Sequence, residues 1–421
     1  MEEEEAVWFV VLLVAGVMLL VVALLVRRAR RSTPTSPQQT APELTAPVRR
    51  FEVVAIGLPG AGKTMLLTSM YQKLHTSAGR GFHVHAPQDQ VARINTWYGQ
   101  VNGTESDWPA GTARGETRSF DFTLLHDHAP TGVVPGIEIG YLEYAGELLA
   151  DPDLSGSTTR QHVSTAIGNA DALLGIIDGL LVLRAYEGDR RARSDLQISL
   201  NTMINVMLRS PAPVAFVVTK WDLLDGFGQD ENVRLGKVRD LLLAADGFRD
   251  LVSTHAARRI VRLIPVSAVG PEFARLADGK IRKRPDGQLA PYGVELPFCA
   301  VVPDAVSQAE AALDQQTRET LRREAKEAAR VGVRETLRRV GTWLTAQSGR
   351  SLVSLTGLSL LVEVAAAEET QRNPPLRERL SAADQYAEGV IQSRRAVLEA
   401  LRHQLAVLDA RLPNARLDGG H

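Results

Sequence analysis

One octapeptide constrains this chain more than any other stretch. Gly57-Leu58-Pro59-Gly60-Ala61-Gly62-Lys63-Thr64 satisfies the pattern G-x-x-x-x-G-K-(S/T) at every fixed position. Residues 51–56 before it (Phe-Glu-Val-Val-Ala-Ile) read as a buried strand, and residues 65–74 after it read as a helix. Strand, glycine loop and helix in that order form an anion cradle. Glycines leave room for backbone N–H groups to curl around a phosphate, and the helix N-terminus adds partial positive charge. The backbone of Gly57, Pro59, Gly60, Ala61 and Gly62 is predicted to line that cradle. Lys63 is predicted to reach the β- and γ-phosphates, and the Thr64 hydroxyl to ligate Mg²⁺. The fold class that follows is α/β: a mostly parallel sheet with helices on both faces.

With 421 residues the chain has length for two or three domains, and an apolar content of 44% supplies a core. A net charge of −1 gives no global case for nucleic-acid binding. The single cysteine, Cys299, excludes an intramolecular disulfide and reads as buried filler in a reducing compartment.

Residues 6–26 form a run of 21 without a charge. As a helix it spans about 31 Å, close to the roughly 30 Å hydrocarbon core of a bilayer. Arg27, Arg28, Arg30 and Arg31 follow at once. The expectation is a single-pass anchor with the N-terminus outside and the rest cytoplasmic. A cleaved signal peptide fits less well: the leading residues Glu2 to Glu5 are acidic, the run is long, and no small-residue cleavage site follows. The expected organisation is acidic N-terminus, anchor and basic flank over 1–31, and a flexible proline-rich tether over 32–50. A nucleotide-binding domain over 51–303 and a helical C-terminal domain over 304–421 complete it.

Later segments speak to the base. Residues 213–218 (Pro-Val-Ala-Phe-Val-Val) read as a buried strand ending in Thr219-Lys220-Trp221-Asp222. The Asp222 carboxylate can accept two hydrogen bonds from the N1–H and N2–H₂ of guanine, a donor pair adenine lacks. Residues 262–266 read as another strand, running into Ser267-Ala268. Between these and the first loop, residues 137–142 alternate like a strand and lead into Glu143-Tyr144-Ala145-Gly146-Glu147. Trp108-Pro109-Ala110-Gly111-Thr112 precedes a further strand pattern at 119–124.

Taken in order, these segments resemble the Ras-like (TRAFAC-class) P-loop GTPases, with a Rossmann-like core, over about 51–300. Thr219 to Asp222 stand where that family has (N/T)-K-x-D, and Ser267 and Ala268 where it has S-A. Glu143 to Gly146 stand where it has D-x-x-G. The resemblance implies GTP or GDP and Mg²⁺ as ligands, Asp222 reading guanine, and the Ala268 N–H meeting guanine O6. It implies Glu143 near Mg²⁺, Gly146 donating to the γ-phosphate, and a switch threonine on both. Thr104, Thr112 and Thr117 are candidates for that threonine, and Thr112 is favoured. Two positions depart from the family: Glu143 replaces Asp, and Glu147 stands where a water-orienting Gln is expected. Slow hydrolysis is the expectation. The Trp-Pro-x-x-Thr stretch is similar to bacterial membrane-tethered double-GTPases, which implies a nucleotide switch in a multi-protein system. A non-hydrolysing GTP-binding scaffold that recruits partners, and a P-loop ATPase or kinase, remain open readings. The expected partners are a guanine nucleotide, the membrane, and an effector or activating protein. Self-association is a further option.

Three remaining features read as structure. Asp178 closes a strand at 173–178. Residues 278–291 form a basic, turn-rich insert whose Arg282, Lys283 and Arg284 either face water or touch anionic lipid. Beyond Pro303 the chain reads as helical, with Glu319, Arg323 and Glu327 at i,i+4 spacing and an apolar run at 351–367 that is short for a second span. Leu398, Leu401, Leu405, Leu408 and Leu412 form a seam at alternating 3/4 spacing, expected to pack on the preceding helices.

Overall fold

The computed structural model describes residues 50–103, 107–113, 116–128, 132–144, 158–208, 210–309 and 374–417. The 6–26 span, the tether, Thr104, Gly146, Glu147 and residues 310–373 lie outside this set. Among the described residues no helix is long and apolar enough to cross a membrane.

Seven strands form one sheet: β1 (Arg50–Ile56), β2 (His83–His85), β3 (Thr117–His128), β4 (Gly132–Tyr144), β5 (Ala172–Asp178), β6 (Val214–Thr219) and β7 (Arg262–Pro265). Their order is β2-β3-β4-β1-β5-β6-β7. The pairs β4/β1, β1/β5, β5/β6 and β6/β7 are parallel, and β2/β3 is antiparallel. The mostly parallel α/β sheet expected of the sequence is therefore present. A hairpin of β8 (Ala274–Ala277) and β9 (Lys280–Lys283) stands apart from it.

The central strands are apolar without alternation, and this decides the layering. β6 (Val-Ala-Phe-Val-Val-Thr) is buried at all six positions and β7 at all four. A strand buried on both faces needs cover on both faces, which parallel crossovers supply. The helices in chain order are α1 (Lys63–Leu74), α2 (Gln88–Asn102), α3 (Thr158–Gly168), α4 (Gly179–Tyr186), α5 (Arg190–Met207), α6 (Glu231–Leu243) and α7 (Asp246–Ala256). Two later helices, α8 (296–309) and α9 (Pro374–Arg411), follow.

The order places β1 between β4 and β5. The chain therefore switches direction across β1, and a crevice opens at the carboxyl ends of the strands there. Five candidate site segments lie at carboxyl ends: the glycine loop at β1, Glu143 at β4, Asp178 at β5, Thr219–Asp222 at β6 and Ser267 at β7; the Thr112 loop instead runs into β3.

Two features of the C-terminal half were not expected. Pro303 lies inside α8, which continues through it and buries Phe298 and Cys299 against the sheet side of the unit. Phe298 meets the rings of Tyr141 and Phe122 at 6.1 Å each. The leucine seam does not pair with preceding helices alone. Residues 394–421 belong to the same compact unit as 50–127 and 137–306. Leu401, Leu408 and Leu412 are each at most 1% exposed. The Arg262 guanidinium holds Asp409 with two bonds, 3.1 and 2.9 Å, and Leu417 N–H donates to Val261 O at 2.8 Å. A seam of about two heptads is too short to stand alone, and the α/β core offers it an apolar surface.

Candidate functional site

The glycine loop owes its shape to Gly60 (φ 78°) and Gly62 (φ 87°), a region closed to most side chains. Gly62 also caps α1 without a side-chain acceptor, and the first turn of α1 carries no acidic residue. The amides of that turn are thus left for an anion. Lys63 Nζ lies across the loop, donating to Gly57 O at 2.7 Å and Leu58 O at 3.2 Å. This holds a buried ammonium over the space the loop encloses.

Beside it three oxygen-bearing side chains converge. Thr64 Oγ1 and Thr112 Oγ1 each donate to Glu143 Oε1 at 2.5 Å. Glu143 is 1% exposed, and its second oxygen, Oε2, is buried without a hydrogen-bond partner. A buried carboxylate with an orphaned oxygen is costly unless something positive joins it. Two hydroxyls, one carboxylate and the phosphate oxygens of a ligand form the all-oxygen set a Mg²⁺ ion takes. Among the described residues no cluster of three His, Cys, Asp or Glu is placed to hold a metal, so the hydroxyls matter. The residues present fit Mg²⁺. Of the three threonines considered from sequence, Thr112 is the one brought here; Thr117 begins β3.

Arg118 was missed by sequence reasoning. Its guanidinium donates to Gly111 O at 3.0 Å, lies 5.0 Å over the Trp97 ring and stands 4.0 Å from Glu143 Oε1. It braces the loop that carries Thr112 and offsets part of the Glu143 charge.

The other end of the crevice is organised by β6 and β7. Thr219 Oγ1 donates to Ala61 O at 2.7 Å and so ties this segment to the glycine loop. Lys220 turns the chain with φ 52°, and its ammonium meets Asp178 Oδ2 at 2.8 Å. Asp178 also caps α4, accepting from Leu180 N–H at 2.9 Å. Gly179 is obligatory here, since a Cβ would collide with Thr219 O. Asp222 Oδ1 accepts from Ser267 Oγ at 2.5 Å, and Ser267 Oγ accepts from Gly270 N–H at 2.8 Å. Burial pushes the Asp222 carboxyl above the usual aspartate range, and the Ser267 bond opposes the shift. Ala268 is anchored through its carbonyl, which accepts from Ser69 Oγ at 2.6 Å.

Both ends open into one cavity of about 340 Å³, lined by Gly60, Lys63, Thr64, Thr112, Glu143, Lys220, Asp222 and Ala268 among others. Trp108, from the Trp-Pro-x-x-Thr stretch, also lines it, and so do two residues that had no sequence signal, Val269 and Ile281. The last comes from the 278–291 insert, which is therefore not simply a solvated hairpin.

No protein-family model matches the chain. No curated protein matches its sequence. Among solved structures, the crystal structure of the G domain of the T. maritima FeoB iron transporter is similar at 13% identity, covering 52% of this chain and 89% of that chain. The TM-score is 0.24. The chemistry rests on the cavity itself. One end presents an ammonium, helix amides and a candidate cation site, a set suited to phosphates. The other presents a partly buried carboxylate, suited to a donor pair on a flat base.

Proposed function

We propose that this chain is a guanine-nucleotide-binding P-loop protein that requires Mg²⁺ and hydrolyses GTP slowly. The observation that carries the reading is the convergence of Thr64, Thr112 and Glu143 at one end of a cavity whose other end holds Asp222. Lys63 and the α1 amides hold the β- and γ-phosphates. Thr64, Thr112 and Glu143 would hold Mg²⁺, which when bound would neutralise charge developing on the γ-phosphate. Asp222, set by Ser267, accepts from guanine N1–H and N2–H₂, and Lys220, clamped by Asp178, lies along the base. Hydrolysis adds water to the γ-phosphorus as the bond to the β,γ-bridging oxygen breaks, leaving GDP and phosphate. The resemblance sets Glu147 where a water-orienting Gln is expected, and a carboxylate in that role would not help water attack, which supports a slow step.

The same departure keeps the scaffold reading in play. Single-turnover hydrolysis on the purified chain separates the two. A rate on the order of 10⁻⁴ s⁻¹, as for unassisted GTPases, supports the enzyme. Tight GTP binding with turnover no faster than in buffer selects the scaffold.

The apolar run at 6–26 with its arginine flank supports a membrane anchor and a cytoplasmic nucleotide site. Alkaline carbonate extraction tests it: an anchored chain stays with the membrane pellet, and release of the full-length chain refutes a spanning helix.

A further inference from the structure

The insert between Gly270 and Tyr292 leaves the base-end loop and returns to it. Its stem is closed by Ala290 N–H to Val269 O at 2.9 Å and by reciprocal bonds between Ser267 and Tyr292 at 3.0 and 2.8 Å. Its tip is the Asp278-Gly279 turn, both residues at positive φ (50° and 72°), as a two-residue hairpin requires. From that tip Gly279 O accepts from Arg184 Nη2 of α4 at 2.8 Å. On the opposite strand Ile281 O accepts from Trp108 Nε1 at 3.1 Å. Lys283 Nζ sits 5.1 Å from the Trp108 ring centroid and donates to Gln100 O and Gly103 O, at 2.5 and 2.7 Å, where α2 ends. Behind these bonds a small apolar cluster joins Val269, Phe273 and Ile281 to Trp108 and Met65.

The hairpin thus links α4 to the loop that carries Thr112, and one of its side chains faces the cavity. We propose that the β8–β9 hairpin is a strap across the nucleotide cavity, latched by Arg184, Lys283 and Trp108, whose opening sets the rate at which bound nucleotide leaves. The proposal rests on the reading that the cavity takes a guanine nucleotide. The latch is the right strength for a gate. It consists of a few side-chain bonds near the surface over a small cluster, while the seven-stranded sheet beneath has no part in it. A segment of this kind opens locally without global unfolding. Burial lowers the Lys283 ammonium from its ordinary value, with Asp107 opposing that shift, which fits a lysine held against the protein rather than in water. Arg184 and Lys283 are positioning residues; neither lines the cavity.

The test is nucleotide exchange on the full-length protein with Mg²⁺, using fluorescently labelled GDP and a chase of unlabelled GDP. Each exposed hydrogen bond removed shifts an opening equilibrium by about three- to tenfold. The double variant Arg184→Ala/Lys283→Ala is expected to release GDP about tenfold or more faster than wild type. Its association rate should stay within about twofold, since the strap closes after entry. Trp108→Phe, which keeps the ring and loses the bond to Ile281, should show a smaller acceleration and stands in if the double variant does not fold. Unchanged release in a folded variant that still binds GDP overturns the strap and leaves the nucleotide reading intact. Failure of wild-type protein to bind labelled GDP at all removes the nucleotide reading, and the strap with it.

Discussion

The phosphate end and the base end of the cavity sit on the same sheet but are satisfied in opposite ways. At the phosphate end the chain leaves chemistry open: Glu143 Oε2 has no hydrogen-bond partner, and the first turn of α1 has no side-chain cap. At the base end the polar groups already answer one another. Asp222 accepts from Ser267, Ser267 from Gly270, and Lys220 meets Asp178. An unsatisfied end gains most of its free energy from a ligand. A self-paired end gains less, because each new hydrogen bond replaces or competes with an existing one. Affinity should therefore come chiefly from phosphate and Mg²⁺, and discrimination from the base.

Four substitutions can break or sharpen that contrast. Lys63→Ala removes the charged donor from the open end. Affinity for GTP and ATP should both fall by about 100-fold or more, from the roughly 3 kcal/mol of a charge-assisted contact, as titration calorimetry reads it. If the loss falls on GTP alone, the division of labour is wrong. Glu143→Ala should weaken Mg²⁺ support of nucleotide binding by about 10- to 100-fold, near 1.4–2.8 kcal/mol, while the GTP-to-ATP ratio stays put. A Mg²⁺ titration of nucleotide affinity checks both.

Ser267→Ala acts at the closed end. It frees Asp222 to turn away from the orientation guanine needs, and if that loss of positioning outweighs the release of a competing donor, guanine affinity should fall by about 3- to 10-fold. The same variant sharpens the pH dependence. Guanine needs Asp222 ionised, and burial already raises its pKa. The GTP-to-ATP affinity ratio should therefore fall on acidification, starting above the pH at which an ordinary aspartate titrates. Without the Ser267 bond, which lowers the pKa, the fall should start at higher pH still. The sign for stability is the reverse. With its folded pKa raised, Asp222 contributes to stability of the ligand-free fold below the unfolded aspartate pKa and loses that contribution as pH rises through the raised value. A ratio that does not change with pH removes the assignment. Arg118→Ala, the smallest effect, should loosen the Thr112 loop and cost about threefold in Mg²⁺-dependent affinity. No change would mean that the loop is held by Trp108 alone.

The two ends also differ in how much of them could be read in advance. The phosphate end announces itself because its residues are contiguous and their spacing is fixed by backbone geometry around an anion. The strand before it and the helix after it carry plain patterns, and so do the buried parallel strands β5 and β6. Thr219, Asp222 and Ser267 were legible as motif residues. What could not be read were the partners that chain folding brings from afar. Asp178 is 42 positions from Lys220, and nothing local marks it as that residue's clamp. Trp108 and Ile281 are 173 positions apart, and the basic letters around Ile281 pointed to solvent or lipid. The helix that runs through Pro303 could not be read either, because a proline inside a helical pattern usually marks a stop. The destination of the leucine seam was misread because periodicity shows that a face is buried, and not what buries it.

The proposed guanine preference rests on Asp222. Competition of GTP, ATP and xanthosine triphosphate against labelled GDP, with Mg²⁺ present, tests it on wild type and on Asp222→Asn. The account predicts that wild type prefers GTP over ATP by at least about 100-fold. It also predicts that Asp222→Asn loses GTP by a similar factor and takes xanthosine triphosphate in its place, because the amide donates where the carboxylate accepted. ATP binding as tightly as GTP in wild type, or GTP affinity unmoved by Asp222→Asn, contradicts it.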